Sequence, residues 1–161
     1  QGSIVSVEGG TCGYPFYTAS AAAAEHTALT NTGGAIGQGM PVALGAALAC
    51  PTRPVVALVS DGSTQYTIQA LWSMAHEQAN VTVLVAANHQ YGILRQELRR
   101  TGALSPQSQE LTALDRPRID WVRLAEGYGV PACRVDTAEA LAEALARNFD
   151  RGGPALVEMS L

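Results

Sequence analysis

The chain has 161 residues, of which 47% are hydrophobic and 15% charged, a composition that suits one globular domain and argues against a disordered chain. All ten basic residues are arginines, and the absence of lysine excludes both a Schiff-base lysine and the phosphate-binding lysine of a P-loop. The net charge of −4 argues against a nucleic-acid footprint or a polybasic membrane patch.

The cysteines and the apolar runs indicate the cellular compartment of the protein. Cys12, Cys50 and Cys133 are odd in number, scattered and without a CxxC pair, so neither a disulfide framework nor a zinc site is expected. The apolar runs are far shorter than the ~20 residues that span a bilayer, and no basic segment precedes an apolar one near residue 1. We therefore expect a cytoplasmic protein that binds neither nucleic acid nor a membrane.

The first half of the chain predicts two strands and two helices. Residues Ile4–Val7 form a short β-branched strand, and residues 41–49, apolar nearly all round, predict a buried helix. Residues 55–59 are continuously apolar, which is typical of a strand covered on both faces. After a turn at 61–63, residues 64–79 predict a helix with one buried face. The side chains expected on that face are Ile68, Leu71, Trp72 and Ala75.

The second half continues the alternation. Residues 81–86 predict a second covered strand and 91–100 a helix, whereas the polar segment 101–118 predicts a mobile excursion. Strands alternating with helices of this length indicate a doubly wound α/β domain, with a mostly parallel sheet and helices on both faces. Its ligands are expected at the carboxyl ends of the strands. The remaining predicted elements are helix 120–128, strand Ala132–Val135, helix 138–149 with Leu141, Leu145 and Phe149 inward, and strand Ala155–Ser160.

The first candidate site follows the strand at 55–59. Asp61 stands at its carboxyl end, Gly62 and Ser63 open the next helix, and Asn88 follows the neighbouring strand one crossover later. A carboxylate and an amide, completed by a backbone carbonyl and phosphate oxygens, would suit octahedral Mg²⁺. The alternative is a plain Asp-Gly turn in which Ser63 is only a helix N-cap.

The second candidate site is the glycine-rich loop at 32–41, whose four glycines allow close backbone approach to a ligand. It is not a dinucleotide fingerprint, because GxGxxG is absent, no clear strand leads into it and no acidic residue follows at the required distance. Tight helix packing is the alternative interpretation of these glycines.

Taken together, the two loops resemble the cofactor-binding domain of thiamine-diphosphate enzymes of the benzoylformate decarboxylase and acetolactate synthase group. The resemblance covers nearly all of the chain from about residue 31, and more loosely from Ile4. Ser60 is a small departure, because the family has glycine there. The matching pieces are Gly-Gly-Ala-Ile-Gly at 33–37, Ser-Asp-Gly-Ser at 60–63, Leu-Trp at 71–72, Asn88 and the closing segment Ala155–Ser160.

The resemblance implies that the chain binds thiamine diphosphate and Mg²⁺, with Ca²⁺ as an alternative ion. The side chains of Asp61 and Asn88 and the backbone carbonyl of Gln90 would bind the ion. The Gly34 carbonyl would accept a hydrogen bond from the aminopyrimidine, and Ile36 would bend the cofactor. The cofactor-binding residues implied are Gly10, Thr11, Gly34, Ile36, Gly62, Ser63, Asn88, Tyr91 and Ile93.

The same resemblance places Ile93 and Leu94 next to the substrate, with ordinary helix packing as the alternative. Simple pyruvate decarboxylases have an acidic side chain where Leu94 stands, and acetolactate synthases typically have tryptophan where Glu97 stands. These departures disfavour an acetaldehyde-forming enzyme and put true acetolactate synthase activity in doubt. The specific 2-oxo acid stays open.

The resemblance also implies what the chain lacks. Residues 1–161 would be a single thiamine-diphosphate-binding domain, without the pyrimidine-binding and middle domains of the family. The activating glutamate would lie on that pyrimidine-binding domain, since Glu8 and Glu25 are in the wrong motif context. We therefore expect one part of a 2-oxo acid decarboxylase or carboligase that is a homo-oligomer when intact. A nucleotide-binding oxidoreductase and a cofactor-binding or regulatory subunit without turnover are the rival functions.

Overall fold

Six parallel strands form one sheet in the computed structural model, which describes residues 2–8, 10 and 12–161. The strands are Ile4–Val7 (β1), Thr27–Thr30 (β2), Val55–Ser60 (β3), Val81–Ala87 (β4), Ala132–Val135 (β5) and Ala155–Ser160 (β6). Their order across the sheet is β2-β1-β3-β4-β6-β5, and every pairing is parallel. The predicted doubly wound α/β fold is therefore confirmed.

The connections between the strands supply the helices. A single 3₁₀ turn, Thr32–Gly34, lies between β2 and the second helix. The α-helices of the described residues are Tyr14–Ala19 (α1), Gly39–Ala49 (α2), Asp61–Thr64 (α3), Ala70–His76 (α4), Gly92–Arg100 (α5), Pro106–Leu111 (α6), Trp121–Gly127 (α7) and Ala138–Arg151 (α8). None of the helices in this part of the chain is both long and apolar enough to cross a membrane.

The core lies on both faces of the sheet but is much larger on one of them. Strand β4 is buried throughout, because it runs through the middle of the sheet. On the larger side, α2 contributes Met40 and Ala43, and α4 contributes Leu71 and Met74. On the other side, α8 covers Leu84 and Val157 with Ala144. The two layers hold the carboxyl ends of β1, β3 and β4 side by side at one edge of the sheet.

Two helix predictions were wrong in detail. Helix α2 is not buried all round: it buries Gly39, Met40, Ala43 and Ala47, while Leu48 is exposed. The helix predicted at 64–79 starts earlier and is interrupted. Ser60 and Ser63 form a reciprocal capping box that starts α3 at residue 61, and α4 begins only at Ala70. Trp72, predicted to be buried, is 57% exposed and stacks on His76 with ring centroids 5.0 Å apart.

Three further expectations need correction. A strand, β2, does lead into the glycine-rich loop; it was missed because it is an edge strand with mostly exposed side chains. The segment 101–118, predicted to be a mobile excursion, contains helix α6, which is capped by Ser105. Phe149 is exposed at the end of α8 instead of facing inward.

Candidate functional site

A cavity of about 310 Å³ opens at the carboxyl ends of β1, β3 and β4. The chain leaves β1 to form β2 on one side and returns to form β3 on the other, so the cavity lies at the point where the strand order reverses. Ligands of open α/β sheets bind at such switch points. The lining residues are Glu8, Gly10, Tyr14, Asn31, Gly34, Ile36, Ser60, Asp61, Gly62, Ser63, Asn88, Gln90, Tyr91, Gly92 and Ile93.

Asp61 is the central charged group of this cavity. It follows β3 directly and is 2% exposed. Its Oδ1 accepts the Gly62 N–H at 2.8 Å, and its Oδ2 accepts the His89 N–H at 2.6 Å. Burial raises the pKa of the Asp61 carboxyl, and these backbone N–H groups act in the opposite direction. The bond to His89 joins the end of β3 to the loop after β4, so Asp61 and Asn88 share one crevice, as the sequence predicts.

The loop after β4 places a second set of oxygen atoms on the cavity. Asn88 Oδ1 accepts the Gln90 N–H at 3.1 Å, and both residues line the same cavity as Asp61. A carboxylate, an amide and a backbone carbonyl are hard oxygen donors that fit Mg²⁺. Within residues 2–8, 10 and 12–161 no group of three or more His, Cys, Asp and Glu side chains could hold a metal. This donor set therefore suits an ion that completes its shell with phosphate and water.

Ser63 belongs to the turn that starts α3. Its hydroxyl accepts the Ser60 N–H at 3.1 Å and donates to the Ser60 carbonyl at 3.0 Å, so the N-cap is Ser60 and not Ser63. Ser60 Oγ also lies 3.0 Å from Cys12 Sγ, whose thiol has its pKa raised by burial. The turn is thus fixed to the loop after β1, which brings Gly10 to the cavity wall. Thr11, predicted to bind the diphosphate with Gly10, lies outside the described residues.

Gly62 allows two parts of the site to approach closely. A Cβ atom at this position would lie 2.9 Å from the ring of Tyr91. The Tyr91 N–H in turn donates to the Thr112 carbonyl at 2.9 Å, and the Leu114 N–H donates to the His89 carbonyl at 2.8 Å. The segment predicted to be mobile is therefore hydrogen-bonded to the loop after β4.

The glycine-rich loop forms the opposite wall. Gly34 and Ile36 both line the cavity, and Ile36 is 51% exposed, an apolar side chain at its mouth. Gly33, Gly34 and Gly37 have positive φ values of 64°, 68° and 85°, which glycine adopts without strain. Ile93 lines the cavity too, whereas Leu94 is exposed and is not one of the lining residues.

Sequence reasoning missed five lining residues. Glu8 directly follows the predicted strand β1, so the rule that ligands lie at carboxyl ends of strands could have found it, and the same rule would have found Asn31 if β2 had been recognised. Ser60 and Gly92 are neighbours of predicted site residues. Tyr14 is an exposed aromatic residue that no motif signals.

Known proteins match this chain along nearly its whole length. The family described as thiamine pyrophosphate enzyme, C-terminal TPP binding domain, matches residues 10–159. A Mycobacterium tuberculosis protein, IlvX, provisionally named as an acetolactate synthase large subunit, is 49% identical over 160 residues, covering 98% of this chain and 31% of the relative. The benzoylformate decarboxylase of Pseudomonas aeruginosa is 37% identical over 126 residues, covering 78% of this chain and 23% of the relative.

A solved structure with a similar fold belongs to the same group. The thiamine diphosphate-dependent 4-hydroxybenzoylformate decarboxylase of Rhodococcus jostii RHA1 is 32% identical, with a TM-score of 0.85. The alignment covers 99% of this chain and 29% of that one. This chain therefore spans only 23% to 31% of the length of these relatives.

Proposed function

This chain belongs to the thiamine pyrophosphate enzymes, as their C-terminal TPP-binding domain, and from that premise we propose that it anchors the diphosphate of thiamine diphosphate through Mg²⁺ in a 2-oxo acid decarboxylase or carboligase. The observation that carries the proposal is the meeting of Asp61, Asn88 and Gln90 with the glycine-rich loop around one cavity. A hard-cation site and a loop open to a flat ligand thus face each other.

We propose for these residues the roles that the family resemblance implies. Asp61, Asn88 and the Gln90 carbonyl hold the ion, and the turn at Gly62 and Ser63, with Gly10 and Thr11, receives the diphosphate. Gly34 and Ile36 orient the other end of the cofactor. When bound, thiamine diphosphate supplies the electron sink for cleavage of the bond between the carbonyl and the carboxylate of a 2-oxo acid. Tyr91 and Ile93 complete the cofactor side of the cavity.

Ile93 and Leu94 are proposed to face the substrate. Ile93 lines the cavity where a 2-oxo acid would enter, and Leu94 is the exposed residue that follows it on α5 outside the cavity lining. Two of the relatives are named for benzoylformate or 4-hydroxybenzoylformate decarboxylation and one for acetolactate synthesis. An apolar pair at this position favours a 2-oxo acid with a substantial apolar side chain.

The proposed partner is a pyrimidine-binding domain, in this or another chain. Helices α2 and α4 leave a groove of about 360 Å³ between them, lined by Pro41, Leu44 and Leu48 on α2. Trp72 on α4 and Tyr66 before it are also exposed. Exposed apolar patches of this kind mark interaction surfaces. We propose that the intact protein is a homo-oligomer in which this face is covered.

Replacement of Asp61 tests the function. We expect Asp61→Ala in the full-length protein to abolish Mg²⁺-dependent binding of thiamine diphosphate, measured by isothermal calorimetry with and without Mg²⁺. Asp136→Ala is the matched control, because Asp136 is an exposed carboxylate that follows the edge strand β5, away from the cavity. Unchanged affinity in Asp61→Ala would remove the assignment of the metal site.

A further inference from the structure

Glu8 is a buried carboxylate at the cavity for which the proposed function has no role. It follows β1 directly and is 3% exposed. Burial of a charged side chain costs free energy unless hydrogen bonds compensate it, so its partners indicate its purpose. We propose that Glu8 is a positioning residue that sets the glycine-rich loop, and with it Gly34 and Ile36, for the pyrimidine end of thiamine diphosphate. This inference rests on the proposed function.

Both carboxylate oxygens of Glu8 bind the loop. Oε1 accepts the Gly37 N–H at 2.6 Å and Oε2 accepts the Gly39 N–H at 2.8 Å. Hydrogen bonds to an ionised acceptor are roughly twice as strong as neutral ones. Ser6, on the same face of β1 as Glu8, donates from Oγ to the Gly39 carbonyl at 2.9 Å. These hydrogen bonds therefore attach the end of the glycine-rich loop, at Gly37 and Gly39, to the carboxyl end of β1.

A second element holds Gly37 from the other side. Thr67 Oγ1 donates to the Gly37 carbonyl at 2.8 Å. Gly37 has φ of 85°, and a Cβ atom there would lie 2.6 Å from the Cβ of Tyr66. Both polar groups of the Gly37 backbone are thus engaged, one by β1 and one by the segment between α3 and α4.

The residues that the cofactor would contact depend on this anchor. Gly34 and Ile36 are exposed and have little packing of their own, so their positions are set by the loop's fixed end at Gly37. Because both oxygens of Glu8 already accept N–H groups, the carboxylate acts on geometry and not by proton transfer. A rival interpretation is that Glu8 only stabilises the start of α2, where an anion complements the helix dipole.

The substitution Glu8→Gln separates the two roles. Glutamine has nearly the same shape, but its amide group would face a backbone N–H and leave that donor unpaired. In the full-length protein with Mg²⁺, we expect the affinity for thiamine diphosphate to fall about tenfold or more while the affinity for inorganic diphosphate stays unchanged. Inorganic diphosphate reports on the metal, the turn at Gly62 and the segment at Gly10, none of which the Glu8 side chain binds, whereas thiamine diphosphate also needs the glycine-rich loop that Glu8 holds.

A matched control is Glu158→Gln, which alters a buried carboxylate bound to Arg134 at 2.9 Å instead of to the loop. It should lower the unfolding temperature and leave both affinities unchanged. If Glu8→Gln does not fold, Thr67→Val removes the other side-chain hydrogen bond to Gly37. It should lower only the affinity for thiamine diphosphate, about threefold.

Each outcome decides between the interpretations. A lower affinity for thiamine diphosphate with unchanged affinity for inorganic diphosphate supports the positioning role. An equal fall in both affinities, or no fall in either, overturns it. If the unsubstituted protein binds neither ligand, the proposed function fails and the inference fails with it.

Discussion

Gly62 contributes to the site because it has no side chain, which lets the ring of Tyr91 approach closely. A Cβ atom there would lie 2.9 Å from two ring atoms of Tyr91, and Tyr91 belongs to the loop that carries Asn88 and Gln90. The ring is only partly buried and can move, so an added methyl group should displace the loop without unfolding the domain. The substitution should therefore lower the affinity for the ligand and leave the free energy of unfolding nearly unchanged.

We expect Gly62→Ala to weaken Mg²⁺-dependent binding of thiamine diphosphate about tenfold, or ~1.4 kcal/mol, while the free energy of unfolding changes by less than about 1 kcal/mol. Calorimetric titration and denaturant unfolding measure the two quantities.

Gly127 provides the comparison. It is the exposed last residue of α7, and a methyl group added there would have no neighbouring atom within 4 Å, so Gly127→Ala should raise stability by about 0.5 kcal/mol through helix propensity alone. Wild-type affinity in Gly62→Ala would show that the contact with Tyr91 does not position the loop.

At the scale of elements, burial decided what the sequence could predict. Strands β3 and β4 were predictable because they are covered and read as continuous apolar runs, and their adjacency followed from one crossover. Strand β2 was missed because an edge strand with exposed side chains has no such run. The early start of α3 at Asp61 depends on side-chain capping by Ser60 and Ser63, which hydrophobic periodicity does not detect.

The candidate site shows the same division. Asp61 and Asn88 could be predicted because each follows a recognisable strand. Glu8 could not be assigned a role, because its partners Gly37 and Gly39 are 29 and 31 residues away in the sequence. Such contacts become visible only when the fold brings β1 and the glycine-rich loop together.

Arg95 links α5 to α6 and to the loop after β4. Its Nε donates to Thr112 Oγ1 at 2.9 Å, its guanidinium donates to the Gln109 carbonyl at 2.8 Å, and another of its nitrogens donates to Gln90 Oε1. Lysine cannot reproduce this fork of donors. In Arg95→Lys we expect faster hydrogen exchange at the Tyr91 and Leu114 amides, with unchanged exchange in β3 and β4.

Arg99→Lys is the control for this prediction, because Arg99 is exposed on the same helix. It should leave the exchange of both amides unaltered. Equal protection of Tyr91 and Leu114 in Arg95→Lys and the unsubstituted protein would show that the backbone hydrogen bonds alone hold segment 101–118 in place.

At the scale of the whole molecule, we propose that the chain supplies one side of a reaction site. The acidic side chains that line the cavity are Glu8 and Asp61, among the residues that the structure describes. Glu8 already accepts two N–H groups, and Asp61 is assigned to the ion. The family resemblance implies that a glutamate on a pyrimidine-binding domain activates the aminopyrimidine. Neither Glu8 nor Asp61 is free to take that role.

We therefore expect the 161-residue chain alone to release no carbon dioxide from a 2-oxo acid supplied with thiamine diphosphate and Mg²⁺. The apolar groove between α2 and α4 should be covered in the active protein, so the chain together with a pyrimidine-binding domain, on the same or another chain, is the positive control in the same assay. Decarboxylation by the purified chain would contradict the prediction, because the activating group would then have to lie within these residues. Decarboxylation only when the pyrimidine-binding domain is present would support an active site completed by a second domain.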